Sequence, residues 1–220
     1  MLFRSAQWLG LALVLLLAQL AGSGVAQADD GVDAVLVRLA EAYKDVPSIE
    51  ASFVQTSSGM SYMEPLVQRG TLAIERPGKM RWDFVSPTKQ QYLSDGATLW
   101  VVSEQDRTCT IYRQLNGALS TYFDFLTGMA DVRKHFDVSL GAAVEGMDVL
   151  VLKPLQPDST LGTMTVQIDR TSGLVSVVTS DTPFGDQTEV RLLDVKTGRD
   201  LPDADFVWTA KDGYKEVEGG

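Results

Sequence analysis

Gly70-Thr71-Leu72-Ala73-Ile74-Glu75-Arg76-Pro77-Gly78-Lys79-Met80-Arg81-Trp82 is a pair of strands with the turn between them. Side chains of a strand alternate between its two faces, so Leu72, Ile74 and Arg76 point one way and Thr71, Ala73 and Glu75 the other. Pro77-Gly78 supplies the turn. Beyond it, Met80, Trp82 and Phe84 make a second apolar row. Arg76 is the odd member, because a cation that closes an apolar row must be solvated or paired. Two readings stand side by side. Its stem packs while its guanidinium reaches water, or its five donors bind exposed backbone carbonyls of a helix and hold that helix over the row.

Outward from this hairpin the same grammar repeats. Ile49 to Gln55, Leu66 to Arg76, Lys79 to Val85, Gln90 to Ser94, Thr98 to Ser103 and Thr108 to Tyr112 are predicted strands. They are separated by the turn signals Ser86-Pro87 and Asp95-Gly96, and Asn116-Gly117 follows the last of them. Strands this close together leave no room for helical crossovers, so the sheet is expected to be antiparallel. The period then changes. Leu119, Tyr122, Phe123, Leu126 and Met129 fall at helical spacing, and a short helix is predicted over Asp131 to Phe136. Strands resume at Val138 to Leu140, Asp148 to Lys153, Thr163 to Asp169, Leu174 to Ser180 and Gln187 to Lys196, with a short one expected at Phe206 to Thr209. Ahead of the sheet, Val32, Val35, Leu36, Leu39 and Tyr43 form one helical stripe. Asp29, Asp30 and Asp33 stand near its start, where negative charge suits the helix dipole, and Pro47 marks its end.

The first residues read as an export signal. Arg4 precedes an apolar run from Trp8 to Leu20, and Ala26-Gln27-Ala28 gives a small-x-small cleavage pattern. The run is short for a membrane span of about 20 residues. Cleavage after Ala28 is therefore expected, with residues 29–220 forming one domain. That leaves 192 of the 220 residues, enough for a sizeable core. No cysteine follows the cleavage region, so the product is expected to be soluble and not itself lipid-anchored. The net charge of −10 becomes −11, because Arg4 leaves and no acidic residue does. Such an excess argues against nucleic acid and against unaided binding to an anionic membrane.

Catalytic grammar is absent. Cys109, the single cysteine, excludes an internal disulfide and a thiolate cluster, and among Thr108, Thr110 and Ile111 it reads as a packed strand residue. His135 is the only histidine and has no Gly-x-Ser-x-Gly elbow to serve. It reads as a solvated residue of the short helix. No metal-ligand spacing or phosphate loop is present. Neither a catalytic residue, a metal nor a cofactor is expected. The expected fold is mainly β with an α lid: an unclosed antiparallel β-barrel of about 11 strands covered by short α-helices.

The ordered set Ala51-Ser52-Phe53-Val54-Gln55, Gly70 with Leu72, Arg76 to Trp82, Pro87, Ser94-Asp95-Gly96, Leu99-Trp100 and Pro183-Phe184-Gly185-Asp186 resembles the outer-membrane lipoprotein carrier family, the LolA type. The resemblance implies a periplasmic monomer and no enzyme. It would take lipoproteins by their acyl chains from an inner-membrane ABC transporter and deliver them to an outer-membrane acceptor. A related branch carries free lipids or glycolipids, which leaves the cargo open. The resemblance also implies that Arg76 latches the lid and that Leu72, Ile74, Met80, Trp82 and Phe84 line an acyl-chain cavity. Val35, Leu36, Leu39, Tyr43, Phe123 and Leu126 would belong to the lid helices. Residues 145–157 follow no pattern of the family.

Overall fold

The computed structural model describes residues 23–113, 132–156 and 162–219. Helix α1 (Ser23–Lys44) leads directly into strand β1 (Ser48–Ser58). A meander follows: β2 (Leu66–Glu75), β3 (Lys79–Ser86), β4 (Gln90–Asp95), β5 (Leu99–Ser103) and β6 (Thr108–Tyr112). After the undescribed residues 114–131 come β7 (Phe136–Leu140), β8 (Met147–Pro154), β9 (Met164–Asp169), β10 (Val175–Asp181) and β11 (Gln187–Thr197), and then β12 (Lys215–Glu218). All twelve strands form one sheet in the order β12-β6-β5-β4-β3-β2-β1-β11-β10-β9-β8-β7. Strand β11 returns to pair with β1, so the last strand of the second meander joins the first strand of the first. The end strands β12 and β7 have no pairing with each other, so the barrel is unclosed.

Alternation decides which residues face inward. The registers Leu72↔Trp82, Ile74↔Met80 and Trp82↔Tyr92 put one apolar row on a single face across β2, β3 and β4. Gly70 makes this packing possible. A Cβ there would stand 1.8 Å from the Asp83 carbonyl oxygen and 2.7 Å from the Phe53 ring, so only glycine lets Phe53 lie across the row. The inner core has two halves. Phe53, Leu72, Ile74, Met80, Trp82 and Phe84 belong to one, and Phe136, Leu150, Leu152, Met164, Val166 and Ile168 to the other. Helix α1 covers both: Val32 and Val35 pack on the second half, Tyr43 on the first, and Leu39 touches both.

Several details differ from the sequence expectations. Among the described residues the strands number twelve because Lys215–Glu218 adds one, and it pairs parallel to β6 in an otherwise antiparallel sheet. Phe206 to Thr209 is no strand. A 3-10 turn at Asp203–Phe206 brings Phe206 and Trp208 down onto the outer face, where side-chain burial replaces pairing. The short helix placed over Asp131 to Phe136 is a 3-10 turn at Val132–Lys134, and Phe136 already opens β7. His135 lies exposed between the two, not on a helix. The lid is a single α-helix among the described residues. Phe123 and Leu126, with the rest of that predicted helix, lie outside them. Cys109 sits fully buried in β6 on the outer side, packed with Leu93, Val102, Ile111 and Trp208. Burial, with Glu216 adding to it, pushes its thiol up to about 11, so it is a packing group and a poor nucleophile.

Candidate functional site

The site is built where the C-terminal end of α1 meets the end of β2. The last carbonyls of a helix lack intrahelical donors and carry partial negative charge. Arg76 meets that need. Its Nε donates to the Val46 carbonyl at 2.9 Å, and one terminal nitrogen donates to the carbonyls of both Tyr43 and Val46. Its backbone N–H donates to the Pro47 carbonyl at 2.8 Å, so main chain and side chain grip the same turn. The guanidinium carbon lies 6.0 Å from the centre of the Tyr43 ring. Its side-chain donors therefore sit on carbonyls at the end of the helix and of the turn that follows it. Tyr43 in turn accepts the Val175 N–H at its hydroxyl, 3.2 Å away. Burial pushes the Tyr43 hydroxyl above its usual value, against the opposing pull of that hydrogen bond and of Arg76.

Beneath this end lies the inner row. Leu72, Ile74, Met80, Trp82 and Phe84 are all buried. Phe53 stands edge-on to Trp82 and to Phe84 at 5.2 and 5.0 Å, and Trp82 and Phe84 lie parallel at 6.2 Å. Of the helix residues, Val35 and Tyr43 are buried against the sheet, and Leu36 and Leu39 are half-buried beside them. The surface under α1 is therefore a continuous apolar face of aromatic, methionine and branched side chains. Such a face suits an alkyl chain and offers nothing to a charged ligand.

A second polar tie holds the middle of α1. Asp148 is buried at the start of β8, where its carboxylate accepts from Arg38 of α1 at 2.5 Å and from Arg170, in the β9–β10 turn, at 2.8 Å. Burial pushes the Asp148 carboxyl up, but the hydrogen bonds from Arg170 and Arg38 outweigh it and hold the group below the usual carboxylate range. Arg133 bonds Asp33 near the other end of the helix. Nothing in the sequence marks Arg38, Asp148 or Arg170. Arg38 and Asp148 stand 110 residues apart, and Asp148 falls in the stretch that matches no family pattern. The turn bearing Arg170 comes close because Gly173, at φ +72, has no Cβ, which would otherwise stand 2.6 Å from that of Ala42.

A groove of about 670 Å³ opens on the other side of the sheet. Glu50, Arg81, Asp83, Asp194, Lys196 and Arg199 line it, and Arg199 pairs with Glu50 at 2.8 Å. Its charged walls are unsuited to an alkyl chain, so the apolar face under α1 is the better candidate despite being closed.

A family model described as outer membrane lipoprotein carrier protein LolA matches residues 44–209. The chain is 28% identical over 174 residues to an outer-membrane lipoprotein carrier protein of Dechloromonas aromatica, covering 79% of this chain and 83% of that one. It is 30% identical over 174 residues to the protein of the same description from Bordetella avium, covering 79% and 82%. Among solved structures, it is similar to an uncharacterized conserved protein from Thermus thermophilus. The TM-score is 0.55 at 13% identity, with 85% of this chain and 98% of that one covered, a likeness of fold.

Proposed function

The chain belongs to the outer membrane lipoprotein carrier family, the LolA type, and on that premise we propose that it is a periplasmic carrier that shelters the acyl chains of lipoproteins under α1. It works as a monomer without catalysis or cofactor. It receives lipoproteins released from the inner membrane by an ABC transporter and passes them to an outer-membrane acceptor. Residues 1–28 direct its export and are removed. The observation that carries this reading is the buried apolar row under a helix whose end is held by Arg76.

The physical logic is that of a cover that must open. An acyl chain in water costs about 0.8 kcal/mol per CH₂, so a carrier has to offer an apolar surface of comparable extent. In the closed form that surface is buried against α1 itself, which keeps the empty carrier soluble. Lys44 runs into β1 through a short turn, so the C-terminal end of α1 is the tethered end, and the rest of the helix swings once its ties from Arg38 to Asp148 and from Arg133 to Asp33 let go. Arg76 grips the tethered end. There it sets the angle of the helix and adds its hydrogen bonds to the closed state only. Closing then competes with cargo, and release is favoured once an acceptor takes the chains.

The test is a transfer assay. The purified protein, added to inner-membrane vesicles holding a triacylated lipoprotein and an energised lipoprotein-releasing transporter, is expected to draw the lipoprotein into the supernatant as a one-to-one complex. Lipoprotein that stays with the vesicles overturns the reading. A stoichiometric free lipid or glycolipid on the purified protein, without transfer, replaces it with a carrier of that lipid.

A further inference from the structure

Trp82 combines deep burial with an unmet bond. It is 7% exposed, yet its indole Nε1 has no hydrogen-bond partner among the described residues. Buried donors almost always find acceptors, and one left unmet destabilises the fold. Tryptophan is ordinarily buried where its N–H can be satisfied. Phe84 lies parallel to the indole, and Phe53 meets it edge-on at 5.2 Å. Aromatic rings are weak acceptors and recover only part of a missing bond. On the other side of the molecule the contrast is direct: Trp208 Nε1 donates to Glu216 at 3.0 Å.

We infer that Trp82 Nε1 is a binding donor for the carbonyl oxygen of an ester-linked acyl chain, and so selects esterified chains over ether-linked ones and over free fatty acids. This rests on the carrier reading above and names the polar atom that its cargo must present. The chemistry of the site limits the acceptor to a neutral one. Trp82 belongs to the same inner row as Leu72, Ile74, Met80 and Phe84, where a carboxylate would be buried without compensation. The cation at the end of that row, Arg76, is already committed to the Tyr43 and Val46 carbonyls. An ester carbonyl carries no charge and is attached to the alkyl chain that the row would hold. An ether offers the same alkyl chain with a much poorer acceptor. A lipid with the ester therefore satisfies an atom that the described residues leave unmet.

The experiment compares two synthetic lipopeptides that share a peptide and chain length, one with two ester-linked palmitoyl chains and one with two ether-linked hexadecyl chains. Binding is measured to the wild-type protein and to Trp82→Phe, which keeps an aromatic ring and removes the N–H. The wild type is expected to prefer the ester by roughly twofold to tenfold, the worth of one net hydrogen bond. Trp82→Phe is expected to lose that preference, binding the two lipopeptides to within about twofold of each other whatever its overall affinity, on the same scale. A second measurement reads the wild-type protein itself. In wild-type protein labelled with ¹⁵N-tryptophan, the indole resonance absent from Trp82→Phe should move downfield with the ester lipopeptide and stay in place with the ether. An ester preference that survives in Trp82→Phe overturns the inference, as does an indole resonance that responds equally to both lipids. A wild type that binds neither lipopeptide overturns the carrier reading itself, and this inference falls with it.

Discussion

The two faces of the sheet are each covered, and the covers are held differently. Inside, α1 lays Val32, Val35 and Tyr43 on the sheet, but its orientation is set by polar ties from Arg76 to helix-end carbonyls and from Asp148 to Arg38. Outside, the segment that ends in β12 buries Phe206 and Trp208 and then adds a strand to the sheet edge. Trp208 packs with Leu93, Val102, Cys109 and Ile111. A cover locked by buried aromatics and a β-ladder opens only when the sheet does. A cover held by one apolar stripe and a few hydrogen bonds can leave and return when an alkyl chain takes over the stripe's contacts, because the bonds themselves can be exchanged for water at modest net cost. On the proposed carrier function, the inner side is the one that exchanges its contents.

The largest effect should come from breaking the outer cover. Trp208→Ala removes a buried indole and is expected to cost about 3–5 kcal/mol of global stability, seen as a lowered urea midpoint with unchanged slope. A loss under about 1 kcal/mol would show that the outer segment is not structural. Arg76→Leu should act on the inner cover alone. Losing the charged donors to Tyr43 and Val46 is expected to shift α1 toward the open form by about 2 kcal/mol, roughly thirtyfold. Hydrogen exchange should then quicken across α1 and leave β2 to β5 as they were. In a transfer assay the variant should still take up lipoprotein but release it poorly. Unchanged exchange in α1 together with unchanged transfer would remove Arg76 from the latch.

A smaller change sharpens the comparison further. Asp148→Asn weakens the tie to the middle of α1 and is expected to cost about 1 kcal/mol, read as faster exchange around Arg38. The same tie gives a pH dependence. The Asp148 carboxyl is held below its unfolded value, so its contribution is complete above about pH 4 and is lost as pH falls through the folded-state value. Acid should therefore loosen α1 less in Asp148→Asn than in the wild type. Equal acid sensitivity in both proteins would place the effect elsewhere.

How much of this was legible in the sequence follows from the range of the interactions. Leu72, Ile74, Met80, Trp82 and Phe84 declared their shared face through simple alternation across a Pro-Gly turn, and the antiparallel pairing of the first meander followed from its short loops. Arg76 was visible as an anomaly, but its partners lie 30 and 33 residues away and no local pattern names them. The Asp148 tie was invisible for the same reason. Lys215–Glu218 has four exposed residues and no apolar alternation, so nothing marked it as a strand. Phe206 to Thr209 has strand composition, yet burial of Phe206 and Trp208 against the outer face decided its course instead.

On the proposed function α1 must move for cargo to enter or leave, and a cross-link from its N-terminal part to β7 blocks that motion. A Cβ at Gly31 would lie 3.0 Å from Leu140 Cδ1 in β7, and Leu140 is exposed enough to be reached by a reagent. Cys109 is buried with its thiol pushed up to about 11, so it should stay silent. The measurement is lipoprotein transfer by Gly31→Cys/Leu140→Cys closed with a short reducible cross-linker. Transfer is expected to stop in the cross-linked protein and to return on reduction. Transfer at the same rate before and after reduction would contradict it.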